Sequence, residues 1–344
     1  MVLLVLSGEV SVSPYLAPYL KILDEKGVVY KVVAWCPRDD SGLYYNPEGT
    51  IEFVVKKRSS NKINKILNYF KYRLFVIKQI NKYNPEKIVF LTTPSVFFIP
   101  KRILKKYKNK YIFDYRDATY EYHDWYLKKV RLIASYSTFT SISSYGFQKL
   151  FEGIPQIVNC HNVYDYTIMD CEQNNKDKTQ FNILYFGIVR DLSGILGLFD
   201  NDDRFNLCIY GKMDKETKTL FDNYLRDNGI KNIQFKGSYI KSQINEIAND
   251  FDAVLYYYKK TFNFSLALGN RYYDSLKFIK PMIVNPNIFC GDLVLKNKVG
   301  IGFDKDDILA SRNRVYTYLK ELNNEDLKQR CKDVLLSVKR ENEY

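Results

Sequence analysis

Short runs rich in Val, Ile, Phe and Tyr alternate with longer segments of helical period along nearly the whole chain, and the alternation runs twice. Each run, helix and next run reads as a βαβ unit, whose strands lie parallel and are buried on both faces. In the first half, strands are expected near 2–6, 28–34, 51–55, 87–91, 111–114 and 138–142, with helices near 14–26, 62–82, 97–107, 124–135 and 144–151. The second half restarts at Phe181, with strands near 181–186, 206–210, 232–235, 253–257, 281–284 and 299–302. Its helices are expected near 215–228, 241–249, 271–278 and 306–338. Around 157–180 the pattern gives way to a polar run that reads as a linker. The fold class is therefore α/β, with two doubly wound, Rossmann-like domains facing across a cleft. Residues 1–165 form the first domain, 166–180 the linker, 181–320 the second domain, and 321–344 a terminal helix placed to pack back on the N-terminal domain. Open parallel sheets take ligands outside the carboxyl ends of their strands, so the cleft is where a ligand belongs.

Several function classes drop out. The apolar start, Met1 to Leu6, has no basic leader and is too short for a signal peptide. Residues 88–100 are greasy but hold two prolines and fall short of the roughly 20 residues a membrane-spanning helix needs. The six cysteines form no C-x-x-C pair and read as reduced, buried thiols of a cytoplasmic protein. A P-loop is absent, since Gly211-Lys212 is followed by Met213 and Asn206 stands where the first glycine belongs. Gly300-Ile-Gly302 reads as a turn. Asp250 with Asp252 and Asp304 with Asp306 have the spacing of metal carboxylates, yet each pair sits at a strand edge or turn. The two histidines, His123 and His161, have no Cys, Asp or Glu at ligand spacing, so no metal site is expected. Ser144 reads as a helix N-cap rather than a nucleophile.

Charge is unevenly placed. The whole chain carries +13, but residues 51–110 hold 16 Lys/Arg against 2 Asp/Glu, and the remainder sums to about −1. Within the helix near 63–80, Ile63, Ile66, Leu67, Phe70, Leu74 and Ile77 share one arc that is expected to pack on the sheet. Lys65, Tyr69, Tyr72, Phe75 and Val76 share the other, mixing lysine with aromatics. Basic groups with interfacial aromatics suit an anionic membrane surface, here the inner leaflet, met by residues 56–110. Nucleic acid ranks below this, because the chain has no helix-turn-helix, RNP or zinc-finger pattern.

Segments in order along the chain resemble the GT-B glycosyltransferases, in particular the retaining, nucleotide-sugar-dependent family 4 enzymes of bacterial surface-polysaccharide assembly. Ser7-Gly8-Glu9 before Pro14 resembles the family's first βα loop. The stretch from Tyr111 to Glu121, holding Asp114, Arg116 and Asp117, resembles the strand that faces the acceptor. Thr138 to Asp165 is similar to the passage into the family's linker. In the second half, Leu184 to Arg190, Leu207 to Gly211, Ile233 to Gly237 and Asp252 to Tyr257 resemble the successive strand ends of the donor domain. Ala267-Leu-Gly-Asn270-Arg-Tyr-Tyr-Asp274 followed by Pro281 resembles the helix that holds the donor.

The resemblance implies a glycosyltransferase that moves a sugar from a UDP- or GDP-sugar to a saccharide, with retention and without a metal cofactor. The acceptor would be lipid-linked, as on undecaprenol, in capsule, O-antigen or exopolysaccharide synthesis. The donor side then comprises Gly8, Gly187, Arg190, Lys212, Gly269, Asn270 and Asp274. Arg190 would neutralise the departing diphosphate, free amides at Gly269-Asn270 would face the phosphates, and Asp274 would accept the ribose hydroxyls. Asp117 would assist at the acceptor, with Glu9, Arg116, Glu121 and His123 beside it. Plainer readings stand next to these: Arg190 as a surface partner of Asp191, Asp274 as an exposed acid facing Arg271 three residues back, Asp117 as a turn cap. Two departures from the family pattern bear on the donor sugar. The acid usually found eight residues before Asp274 is Leu266, and the lysine that usually follows Arg190 is absent. A sugar-nucleotide 2-epimerase of the same fold and a non-catalytic nucleotide-sugar-binding protein are the alternatives.

Overall fold

The computed structural model describes residues 1–8, 10, 13–37, 49–55, 62–169, 178–189 and 191–343. They form two compact units, Met1–Tyr164 and Asp165–Tyr344, each built on its own parallel sheet.

The first unit has strands β1 (Val2–Leu6), β2 (Tyr30–Pro37), β3 (Ile51–Val55), β4 (Lys87–Leu91), β5 (Tyr111–Tyr115), β6 (Phe139–Ile142) and β7 (Ile157–Asn159), in spatial order β3-β2-β1-β4-β5-β6-β7. Its helices are α1 (Ala17–Glu25), α2 (Lys62–Tyr83), α3 (Thr93–Val96), α4 (Lys101–Lys106) and α5 (Asp124–Tyr136). Leu3 to Leu6 are wholly buried because β1 is flanked in register by β2 and β4, Leu4 lying opposite both Val32 and Val89. The sheet order reverses between β1 and β4, which makes their carboxyl ends the topological switch point.

Helix α2 packs the other way round from the expected arc. Ile66, Leu67, Phe70 and Leu74 are exposed, while Tyr72, Val76 and Ile80 are buried. Both arcs are apolar, so hydrophobicity alone leaves the choice open, and aromatic packing decides it. Trp35 and Phe53 on neighbouring strands receive the Tyr72 ring at centroid distances of 5.2 and 5.5 Å, and Tyr69 and Phe75 join the same nest. The Tyr72 hydroxyl donates to the Leu6 carbonyl at 2.6 Å, a bond that the aliphatic arc has no group to make.

The second unit has β8 (Phe181–Phe186), β9 (Phe205–Tyr210), β10 (Ile233–Gly237), β11 (Ala253–Tyr256), β12 (Met282–Val284) and β13 (Gly300–Gly302), ordered β10-β9-β8-β11-β12-β13. Around them lie α6 (Lys215–Asp227), α7 (Ile244–Asn249), α8 (Asn270–Lys277), α9 (Phe289–Lys296), α10 (Ile308–Glu321) and α11 (Asn324–Glu343). One face of the sheet carries a large core that includes Phe181, Phe199, Phe205, Leu255 and Phe303. The switch point here lies between β8 and β11.

Four expectations are corrected. Strand β7 lies where the linker was expected to begin; three residues are too few to show a period. The helix expected near 97–107 starts later, at Lys101, because Pro100 takes the N-cap of α4 and residues 97–99 form a turn. Helix α9 was not foreseen, since Gly291 breaks its propensity, yet a Cβ there would come within 1.9 Å of the Asn285 carbonyl. The long helix near 306–338 is two helices, divided where the Asn323 side chain accepts from the amides of Glu325 and Asp326. Helix α11 clusters with the second unit and packs on α8.

Candidate functional site

At the carboxyl edge of the second sheet the backbone is unusually close. Gly187 follows β8 with φ +113°, and a Cβ on Gly211, after β9, would fall 1.7 Å from the Gly187 carbonyl oxygen. The Gly187 amide donates to Tyr210 and the Gly211 amide to Gly237, so three strand ends are laced by their glycines. Lys212 is exposed beside this rim, and its carbonyl accepts from Val189 at 2.9 Å. On the other side of the switch point the Gly269 amide, expected to be free for a phosphate, instead donates to the buried Tyr256 hydroxyl at 2.8 Å, which fixes the entry to α8. That oxygen occupies the space a Cβ on residue 269 would need. Burial pushes the Tyr256 hydroxyl well above the usual tyrosine range, so it stays neutral there.

Arg271 is the group the sequence did not single out as part of a site. It enters α8 at its second residue and turns inward to 6% exposure. Its Nε donates to the Phe186 carbonyl at 2.8 Å, its Nη1 to the Leu255 carbonyl at 3.1 Å, and its Nη2 again to Phe186. The guanidinium carbon sits 3.9 Å from the Tyr185 ring centroid and 5.3 Å from that of Tyr258, which stacks in turn on Phe264. Among the described residues no carboxylate pairs with it. A buried cation held by carbonyl dipoles, ring faces and the Tyr185 hydroxyl keeps its net charge, at the strand ends where this fold takes ligands. The signal for it was a basic residue directly after the helix-opening asparagine.

Asn270 opens α8 and is exposed; Asp274, one turn on, is half-buried. Tyr239, pushed up first by burial and then by the Asp274 carboxylate, marks where that acid lies. Leu266 is buried at 1% exposure and so presents no group in place of the acid usual in the family. Gly187, Lys212, Gly269, Asn270 and Asp274 thus gather around the β8/β11 switch point. Arg190 lies outside the described residues. Its neighbour Asp191 caps the next turn by accepting from the amide and hydroxyl of Ser193 at 2.9 and 2.8 Å.

In the first unit Gly8 follows β1 at the switch point, and Glu9 lies outside the described residues. Across from Gly8, Thr92 holds φ +72° and ψ 154°, a region in which side chains other than glycine's are strained. Its hydroxyl meets Ser7 at 2.8 Å and its amide donates to the Asp114 carbonyl at 2.8 Å. Arg116, expected to face the acceptor, is instead committed inward. Its Nη2 donates to Asp114 Oδ2 at 2.7 Å, its Nη1 donates to Asn162 Oδ1, and Asp114 also accepts from Ser141 at 2.8 Å. Glu121 also turns inward, at 2% exposure, where its Oε2 accepts from the Thr119 and Tyr120 amides and burial raises its pKa. Both are struts that shape the loop carrying the exposed Asp117 and His123.

The remaining candidates are accounted for locally. Asp252 accepts from the Asn182 amide and from Lys178, Asp304 accepts from the Asp306 amide, and His161 pairs with Asn159. Among the described residues no three His, Cys, Asp or Glu side chains gather as a metal set, and Cys36, Cys160, Cys208, Cys290 and Cys331 form no disulfide.

No family model and no curated protein matches the sequence. Solved structures match the fold along nearly its full length. A glycosyltransferase from Rickettsia africae shares 13% identity over 98% of this chain and 93% of its own, with a TM-score of 0.65. Anabaena HepE, solved with UDP and glucose, shares 11% over 100% of this chain and 97% of its own, also at 0.65. WaaG, a glycosyltransferase of lipopolysaccharide biosynthesis, shares 11% over 96% and 95%, at 0.59. Two parallel sheets, each with its switch point at the first strand, and these likenesses along the whole chain give it the two-domain fold of the GT-B glycosyltransferases.

Proposed function

We propose that the protein is a glycosyltransferase that moves a sugar from a nucleotide-sugar donor, a UDP- or GDP-sugar, to a saccharide acceptor. The observation that carries this is the carboxyl edge of the second sheet, where a side-chain-free glycine rim, the start of α8 and the buried Arg271 cation converge. A diphosphate fits that edge chemically: the Asn270 and Arg271 amides that follow Gly269 and a fixed positive charge oppose its oxygens. HepE, a protein of this fold, is solved with UDP, and UDP is the first donor nucleotide to try.

In this reading Arg271 and Arg190 stabilise the charge that builds on the leaving diphosphate, and Asp274 accepts the ribose hydroxyls. Asp117 contacts the acceptor, while Arg116 and Glu121 hold its loop. Transfer proceeds with retention and needs no metal, the leaving phosphate itself taking up the acceptor proton. The acceptor is a lipid-linked saccharide of surface-polysaccharide synthesis, which places the enzyme on the cytoplasmic membrane as a peripheral protein.

A thermal-shift screen across UDP, GDP, CMP and their sugars identifies the donor. With that donor, slow release of the nucleoside diphosphate supports a transferase, interconversion of the sugar supports an epimerase, and neither supports a binding protein. Arg190→Ala and Asp274→Ala are each expected to abolish release, and full activity in either variant removes these roles. Unchanged turnover in excess EDTA is expected; loss of turnover would require a metal.

A further inference from the structure

The arc of α2 that the sheet leaves outside is an organised surface. Ile66, Leu67, Phe70 and Leu74 are 52, 51, 43 and 63% exposed and span about 100° of the helix at 3.6 residues per turn. Ring contacts extend it: Phe70 to Phe98 at 5.2 Å, Phe98 to Phe97 at 5.2 Å, and Phe97 to Trp125 at 6.3 Å. Trp125 is 64% exposed, beside the exposed Tyr120 and Tyr122. Monomeric proteins seldom leave a continuous apolar stripe of this kind uncovered.

Cations line its edges. Lys71 and Lys78 flank the arc on one shoulder and Arg73, its guanidinium 5.9 Å from the Phe70 ring, on the other. Lys129 has its pKa lowered, first by burial and then by Lys101 and Arg73, so these three cations crowd one another. Residues 62–110 hold 13 Lys/Arg and one acid, Glu86. Like charges gathered around an apolar stripe call for an anionic, apolar-cored counterpart. Nucleic acid offers phosphates but nothing for Ile66, Leu67 and Leu74. A second copy docked by two-fold symmetry would set the same cations against themselves. An anionic bilayer offers both chemistries at the right depth.

We propose that this stripe inserts into the interfacial layer of an anionic phospholipid membrane. Ile66, Leu67, Phe70, Leu74 and Trp125 enter the headgroup boundary, and Arg73, Lys101 and Lys129 meet lipid phosphates. The proposal rests on the membrane side of the reading above and sharpens it, from electrostatic adsorption of a basic segment to insertion of a defined face that includes Trp125 and Lys129.

The test is co-sedimentation of the full chain with phosphatidylcholine vesicles, with and without about 30% phosphatidylglycerol, at about 0.1 and 0.5 M NaCl. Partitioning is expected to be at least tenfold stronger with the anionic lipid and to persist in part at high salt. Brominated lipid should quench a share of the tryptophan emission that disappears in Trp125→Phe. Leu67→Ser combined with Phe70→Ser and Leu74→Ser should lower partitioning at least tenfold at both salts without lowering the melting temperature. Arg73→Gln with Lys101→Gln and Lys129→Gln should remove the preference for anionic lipid. Equal binding to neutral vesicles, no quenching, or normal binding by the triple serine variant overturns the proposal, as does a solution dimer that this variant dissolves. The donor's thermal shift, read on the same variants, separates the two readings: its persistence where vesicle binding fails condemns the surface alone.

Discussion

Two arginines occupy comparable places in the two units and do opposite things with their charge. Arg116 lies just past β5 and Arg271 just inside α8, both at the carboxyl edge of a parallel sheet, at 4 and 6% exposure. Arg116 is neutralised within the fold by Asp114, which Ser141 also holds. Arg271 meets carbonyls and tyrosine rings and, among the described residues, no acid. A buried cation with its own counter-ion is a strut. One without keeps its charge for whatever arrives from outside.

The comparison breaks most visibly at Arg116. Arg116→Met leaves Asp114 buried and unpaired and is expected to cost about 3–5 kcal/mol in urea unfolding, with part recovered when Asp114→Ala is added. Arg271→Met should cost only about 1–2 kcal/mol, because the loss of donors to Phe186 and Leu255 is offset by removing an uncompensated charge. Its nucleotide affinity by calorimetry should nonetheless fall at least about tenfold, or about 1.4 kcal/mol. A large stability loss with unchanged nucleotide binding would make Arg271 a strut like Arg116. Tyr185→Leu removes the ring beneath the guanidinium and should lower stability by about 1 kcal/mol in the same unfolding measurement.

The smallest effect belongs to the ion pair between Lys277, at the end of α8, and the exposed Asp165. Lys277 meets Asp165 at 2.5 Å, and that contact, the largest cause, lowers the Asp165 pKa to about 2. Asp165→Asn should cost under about 1 kcal/mol at neutral pH, since the carboxylate is largely in solvent. A depressed carboxyl pKa stabilises above its unfolded value and loses that contribution as pH falls through the folded one. The difference between variant and parent in thermal unfolding should therefore close between pH about 4 and about 2.

Much of the fold was legible in the sequence because parallel strands buried on both faces are continuous apolar runs: β1, β3, β4 and β8 fall where the runs do. The failures share a cause, which is that distant partners decide. Two apolar arcs compete on α2, and the winner depends on Trp35, Phe53 and the Leu6 carbonyl, all remote in sequence. Arg116 reads as a site residue until Asp114 and Asn162 are seen to hold it. Arg271 enters the sequence reading only as a neighbour of Asp274 on one helix face, because an eight-residue helix is too short for periodicity to fix which side faces in.

The glycine rim at Gly187 and Gly211 bears on how such a protein can change over time. Where a Cβ on Gly211 would lie 1.7 Å from a carbonyl oxygen, no side chain can be tried, so this part of the sheet's carboxyl edge is closed to variation by substitution. On the proposed function, change toward a new donor would fall instead to residues 257–268, where the partly exposed Tyr258 and Phe264 stack on one another. On the proposed function, a floor closed to substitution beside a wall open to it would let a lineage explore sugars while keeping its hold on a nucleotide.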